Sequence, residues 1–224
     1  TRLIEIILEF LYIIPKPLGP RIVLLIEQNK NYMELVNISF KICILTYAPI
    51  TMGMYILKND LILLSLGQKY HESIELIGLL APALIFCPIS VFFSGLLVSF
   101  KKSKQYLFSV AFGASISLIT TFVFTRLIGI QGVTIAYTLS HFCIMLMNYI
   151  LVRKKLKGFL YNGNYNLKIQ LILLSLYAFI IISCVSLIFN NFFLLVGLPI
   201  LLYLPAMISS LKVDFKIIND SNFN

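Results

Sequence analysis

Residues 169–211 read IQLILLSLYAFIIISCVSLIFNNFFLLVGLPILLYLPAMISSL, 43 consecutive positions without a charged side chain. A membrane-spanning helix needs about 20 predominantly apolar residues, so this length fits two spans and a turn. Asn190-Asn191, near its middle, supplies the polar turn. A surface helix of a water-soluble domain keeps a polar face, and this stretch has none. The chain therefore reads as a polytopic membrane protein.

Composition agrees. Of the 224 residues 59% are hydrophobic and 12% charged, and the mean hydropathy is +0.95. A water-soluble domain carries about twice that charge. In hydrocarbon every backbone polar group must be paired within the protein, which leaves helices or a closed barrel. Barrel strands alternate apolar and polar residues, and these segments do not. The expected fold class is all-α, a transmembrane helical bundle forming a single domain over residues 1–224.

Seven spans fit the remaining pattern, at about 3–26, 42–57, 73–100, 106–125, 133–152, 169–189 and 192–211. The first is interrupted by Pro15-Lys-Pro-Leu-Gly-Pro20, because proline removes a donor and clashes with the preceding turn. Residues 29–40 are polar with Tyr32, Leu35, Val36 and Phe40 at helical spacing, which predicts an amphipathic interfacial segment. Pro49 and Gly53 fall in the second span and Pro82 and Pro88 in the third. The fourth is rich in Ser, Thr, Gly and Ala, which favours close helix contact. The fifth carries His141 and Asn148.

The net charge of +9 is explained by topology. With the Lys101-Lys102-Ser103-Lys104 turn in the cytoplasm and seven alternating spans, twelve cations face inward: Lys30, Lys41, Lys101, Lys102, Lys104, Arg153, Lys154, Lys155, Lys157, Lys168, Lys212 and Lys216. Only three, Lys58, Lys69 and Arg126, face outward; Arg2, Lys16 and Arg21, in the first span, are left out of the count. This is the bias expected of a chain with its C-terminus in the cytoplasm. No basic patch is interleaved with aromatic residues, so a nucleic-acid partner is not expected. Thr1 stands where an initiator Met would, and no signal peptide pattern precedes the first apolar segment. A fragment of a larger protein is the expectation.

Chemistry-bearing residues are sparse. No carboxylate occurs between Glu75 and Asp214, and His71 and His141 are the only histidines. Acid–base or metal catalysis within a membrane needs more than this, so neither an enzyme nor a catalytic residue is expected. The cysteines Cys43, Cys87, Cys143 and Cys184 are scattered singly, and read as small core residues with no metal and no cofactor. Lys16 and Arg21 lie within the broken first span. A cation at that depth marks a functional site by default, here one for an anionic substrate; equally, both can snorkel to lipid phosphates. Glu5 and Glu9, one turn apart, suit an aqueous lumen or the outer interface. His141 serves either as a ligand-binding group or as a hydrogen-bond partner for a neighbouring helix.

Three motifs in order carry a family resemblance. Leu61-Ile-Leu-Leu-Ser-Leu-Gly-Gln-Lys-Tyr70 resembles the apolar run and Gly-x-Lys-Tyr that follow a proline-containing span in the polysaccharide-flippase branch of the multidrug/oligosaccharidyl-lipid/polysaccharide exporter superfamily. Gly95-Leu-Leu-Val-Ser-Phe-Lys-Lys-Ser-Lys104 is similar to the small residues and basic turn ending that family's next span. Gly129-Ile-Gln-Gly132-Val-Thr-Ile-Ala136 resembles its hairpin between two further spans. The likeness covers about residues 3–157. It departs at Ser115, Ser117 and Thr120, where many members have Asn, and in having no Pro before Gly129.

The resemblance implies the C-terminal half of a transporter of 12 or 14 spans, in a bacterial cytoplasmic membrane. The missing N-terminal bundle would be its partner. It further implies movement of a polyprenyl-pyrophosphate-linked oligosaccharide to the outer leaflet for O-antigen, capsule or exopolysaccharide. Membrane lipids surround it, and Arg21, Lys16 and His141 are the expected substrate-binding residues. Two other readings stay open: an ion-coupled drug or metabolite exporter of the same superfamily, and a non-catalytic membrane scaffold.

Overall fold

A computed structural model of the chain describes residues 18–28, 30–65, 67–153, 155–156, 180, 199 and 201–208. The predicted sixth and seventh spans lie outside the described residues, apart from residues 180, 199 and 201–208, as do Lys16, Glu5 and Glu9. Every regular element among the described residues is helical. In chain order these are α1 (Leu18–Glu27), α2 (Met33–Ile56), α3 (Lys58–Ser65), a 3-10 turn (Gln68–Tyr70), α4 (Ser73–Leu80), α5 (Ala83–Ser99), α6 (Ser103–Ile128) and α7 (Ile130–Val152). Residues 201–208 are helical as well.

Among the described residues four stretches are long and apolar enough to cross a membrane: Met33–Ile56, Ser73–Ser99, Ser103–Ile128 and Ile130–Val152. The shortest has 23 residues, or about 34 Å of helix against about 30 Å of hydrocarbon. One difference from the sequence reading matters. The interfacial segment 29–40 and the span 42–57 are not separate: a single 24-residue helix, α2, runs through both. Neither Gly nor Pro interrupts the chain between Met33 and Ala48, so nothing in the backbone compels a break. Lys30 and Asn31 before the helix are exposed, but the polar residues towards its middle point into protein. Ser39 and Lys41 are buried, as are Leu35, Val36 and Ile38 around them.

The interior lies where α2, α4, α5 and α7 meet, with Val36, Tyr47, Leu84, Phe92, Phe93, Leu96 and Leu97 among its buried side chains. Helix α6 is different. Only 11% of its most apolar window is buried, against 61% for Ser73–Ser99, and Leu118 is 75% exposed with Leu107, Ile119, Phe122 and Leu127 also bare. In water such a patch would drive association. Hydrocarbon is the solvent that suits it.

Helices α6 and α7 form a tight antiparallel hairpin. Gly129 turns the chain with φ +63° and ψ −139°, a conformation that side chains resist. Three residues on, Gly132 lies so close to α6 that a Cβ there would meet the Phe124 carbonyl. Ala136 and Ser140 continue this buried small-residue line one and two turns further, and Gly113 of α6 receives Ile144 of α7.

Pro82 separates two helices and Pro49 lies inside a third, and in both places a side chain from elsewhere in the bundle bonds a nearby carbonyl. Pro82 interrupts the third predicted span between α4 and α5. In the last turn of α4 the Leu79 carbonyl accepts a hydrogen bond from Thr138 Oγ1 of α7 at 3.0 Å. The same hydroxyl lies 3.1 Å from the Thr134 carbonyl. Thr138→Val is expected to destabilise the bundle by about 0.6 kcal/mol, typical of an interhelical bond in a membrane; detergent-unfolding midpoints measure it. Within α2, Pro49 has no N–H to offer the carbonyl four residues earlier. That carbonyl, Leu45, accepts instead from the Tyr203 hydroxyl at 2.8 Å.

Candidate functional site

Polar atoms inside the bundle concentrate along one seam. From its outset α7 runs parallel to α4 and α5, because contacts between them rise in number together: Thr138 with Leu79, His141 with Cys87, Asn148 with Ser90. His141 Nε2 stands 3.9 Å from Cys87 Sγ, and Tyr137, one turn earlier, meets its ring edge-on at 4.6 Å between centroids. Asn148 is buried and donates through Nδ2 to the Ser90 carbonyl at 3.2 Å. Two buried atoms in this seam, His141 Nδ1 and Asn148 Oδ1, have no hydrogen-bond partner among the described residues. A buried polar atom left so is costly, and such atoms are where a bound water or ligand gains most.

Of the residues expected to bind substrate, His141 thus occupies the seam. Arg21 sits elsewhere, on α1, exposed beside the buried Ile22. Lys16 lies outside the described residues. Helix α1 packs on α2 and α5, so Arg21 borders the interior without entering it.

The residue the sequence reading misplaced is Lys41. It was counted among cytoplasmic loop cations; the structure puts it within α2, eight residues past the first and 0% exposed. A buried cation about 12 Å along a membrane-length helix is rare. The missed signal was the unbroken helical pattern on either side of it.

The other charges sort to two ends. Tyr32, just before α2, donates to the Lys155 carbonyl at 3.3 Å and packs edge-on against Phe100. The start of α2, the end of α5 and the end of α7 therefore share one end, which carries Lys30, Lys101, Lys102, Lys104, Arg153 and Lys155. At the other, Gln131 Nε2 donates to Glu75 at 2.8 Å, joining the starts of α4 and α7. Lys58, Asp60, Lys69 and Arg126 lie there, with the Lys58 ammonium over the Tyr55 ring.

Among the described residues no group of three His, Cys, Asp or Glu side chains is placed to hold a metal. An apolar cleft of about 200 Å³ opens at the α4–α5 break, lined by Thr51, Met52, Tyr55, Ile56, Ala81 and Pro82. It is smaller than the usual small-ligand pocket and has no cation. Comparison with family models, with curated proteins and with solved structures yields no match to this chain.

Proposed function

We propose that this chain forms one helical bundle of a flippase that moves polyprenyl-pyrophosphate-linked oligosaccharide across the bacterial cytoplasmic membrane for surface polysaccharide. The physical demand is to carry a polar sugar and a pyrophosphate through about 30 Å of hydrocarbon. Cations held within the membrane, facing a cavity that opens to each side in turn, meet that demand.

The observation that carries the reading is Lys41. An ammonium wholly enclosed in a membrane-length helix is costly to keep and marks function by default. The order of the three motifs, Gly67-x-Lys69-Tyr70, Gly95 to Lys104 and Gly129 to Ala136, supports the same class. The substrate-binding residues in this reading are Arg21 and Lys16, with the buried Lys41 of α2 and His141 of the α4–α5–α7 seam added to them. Pro49 inside α2 and Pro82 between α4 and α5, each with a nearby carbonyl held by a side chain from elsewhere in the bundle, provide places to bend between states.

The test is complementation in a flippase-null strain with a defined surface glycan, using the full-length parent protein. Arg21→Ala and Lys41→Met are each expected to abolish surface polymer while membrane insertion and abundance hold. Undiminished export with both substitutions would remove the cationic site from the mechanism. Failure of the unsubstituted parent to restore polymer, despite insertion and a compatible glycan, would favour the ion-coupled exporter.

A further inference from the structure

The turn between α5 and α6 is a helix C-cap of the Schellman type. Lys102 N–H donates to the Leu97 carbonyl and Lys101 N–H to the Val98 carbonyl, both at 2.9 Å. In this motif the residue after the cap adopts a left-handed conformation, and glycine is the usual occupant because any Cβ is strained there. Here that residue is Lys101, with φ +59°, and among the described residues it alone has positive φ without being glycine. The bonds of the cap need no side chain at this position. A lysine is present where it strains the backbone, and strain of this kind clusters at functional positions.

Lys101 stands among other cations brought from distant parts of the chain. Lys104 opens α6; Arg153 and Lys155 follow α7; Lys30 precedes α2. All five are exposed and Lys102 is half-buried. The Tyr32 contacts to Lys155 and Phe100 fix these three segments against one another. Among the described residues the carboxylates at this end are Glu27 and Glu34, so six cations face two anions.

What lies beside the cations identifies the ligand. One turn beyond Lys104 on the same face are Leu107 and Phe108, 64% and 57% exposed. One turn before Arg153 are Tyr149 and Ile150, also exposed, and Arg153 N–H closes that turn onto the Tyr149 carbonyl. Lys104 and Arg153 therefore each stand directly above bare apolar surface. A soluble anion has no use for the apolar part; a phospholipid has a phosphate and, immediately below it, acyl chains.

We infer that the Lys101, Lys104 and Arg153 end of the bundle is a binding site for anionic phospholipid headgroups, with the acyl chains laid along α6 and the last turn of α7. This stands apart from the transport reading: it requires only that the four apolar helices be in a membrane. A juxtamembrane basic residue contributes appreciably to anionic-lipid attraction, and three together, reduced by salt screening, give about a tenfold preference over a zwitterionic lipid.

The test is native mass spectrometry of the purified full chain in neutral detergent, titrated with phosphatidylglycerol, phosphatidylcholine or inorganic phosphate. Phosphatidylglycerol is expected to bind about tenfold more tightly than phosphatidylcholine, and excess inorganic phosphate to leave it bound. The triple substitution K101Q/K104Q/R153Q should erase the preference, while K58Q/K69Q/R126Q at the opposite end keeps it. Lys101→Gly relieves the backbone strain, so it should raise the thermal midpoint and yet weaken phosphatidylglycerol binding; Lys101→Arg should retain it. Equal binding of the two lipids, displacement by phosphate, or equal losses from the two triple variants would overturn the site. Full binding by the glycine variant would overturn the role of Lys101.

Discussion

Gly132→Ala is expected to be among the most damaging single-methyl changes in the described bundle, destabilising it by about 3 kcal/mol. A Cβ at this position would lie 2.2 Å from the Phe124 carbonyl oxygen, 2.3 Å from its carbon and 2.8 Å from the Thr125 nitrogen. All three are backbone atoms, so no rotamer change relieves the overlap. Helix α7 must move away from α6, and with little hydrophobic force between helices in lipid, close packing is most of what holds them. Two other glycines calibrate the result. At Gly113 the Cβ would meet only the Ile144 side chain, at 2.1 Å, which can rotate, so about 1 kcal/mol is expected. At Gly95 nothing lies within 4 Å, and alanine there should be neutral or stabilise by up to about 1 kcal/mol through helix propensity. Unfolding in mixed micelles followed by circular dichroism gives the ranking. If Gly132→Ala proves as harmless as Gly95→Ala, the close approach of α6 and α7 is wrong.

The same glycine shows what a sequence can disclose. The Gly129 to Ala136 hairpin was legible through its family resemblance, and the spans at about 106–125 and 133–152 through their apolar runs; the helices Ser103–Ile128 and Ile130–Val152 extend a few residues past both. Lys41 was not legible. Hydropathy registers that a residue is polar without registering whether it faces water or protein, so Asn37, Ser39 and Lys41 read as an aqueous boundary when α2 carries them through the interior. His141 was visible as a lone histidine in a span, but its neighbour Cys87 comes from 54 positions away. Sequence spacing holds no record of such a meeting. Charge was intermediate: of the described cations, Lys30, Lys101, Lys102, Lys104, Arg153 and Lys155 share one end of the bundle and Lys58, Lys69 and Arg126 the other, in the groups the sequence suggests, because each borders an apolar run. Lys41, buried within α2, does not follow that rule.

The two proline sites divide the same way, and Pro49 yields the other large effect. Pro49 was evident from the sequence, but the group that compensates for it comes from 158 residues further along. Tyr203 is 8% exposed and its hydroxyl donates to the Leu45 carbonyl, the acceptor that residue 49 would serve if it had an N–H. Tyr203→Phe keeps the ring and removes only that donor. It is expected to destabilise the protein by about 1.5 kcal/mol, because the carbonyl is left buried and unpaired. Proline at 49 is the reason for the loss, so a second substitution should cancel it. Pro49→Ala restores a backbone N–H four residues from Leu45, and in that background Tyr203→Phe should cost no more than a few tenths of a kcal/mol. The coupling between the two sites should then be about 1 kcal/mol. An equal penalty with proline or alanine at 49 would mean that Tyr203 contributes by packing alone. A coupling of the expected size would show that the helix at 201–208 is pinned to α2 where α2 is weakest. Any motion that bends α2 at Pro49 must then first release that hydroxyl.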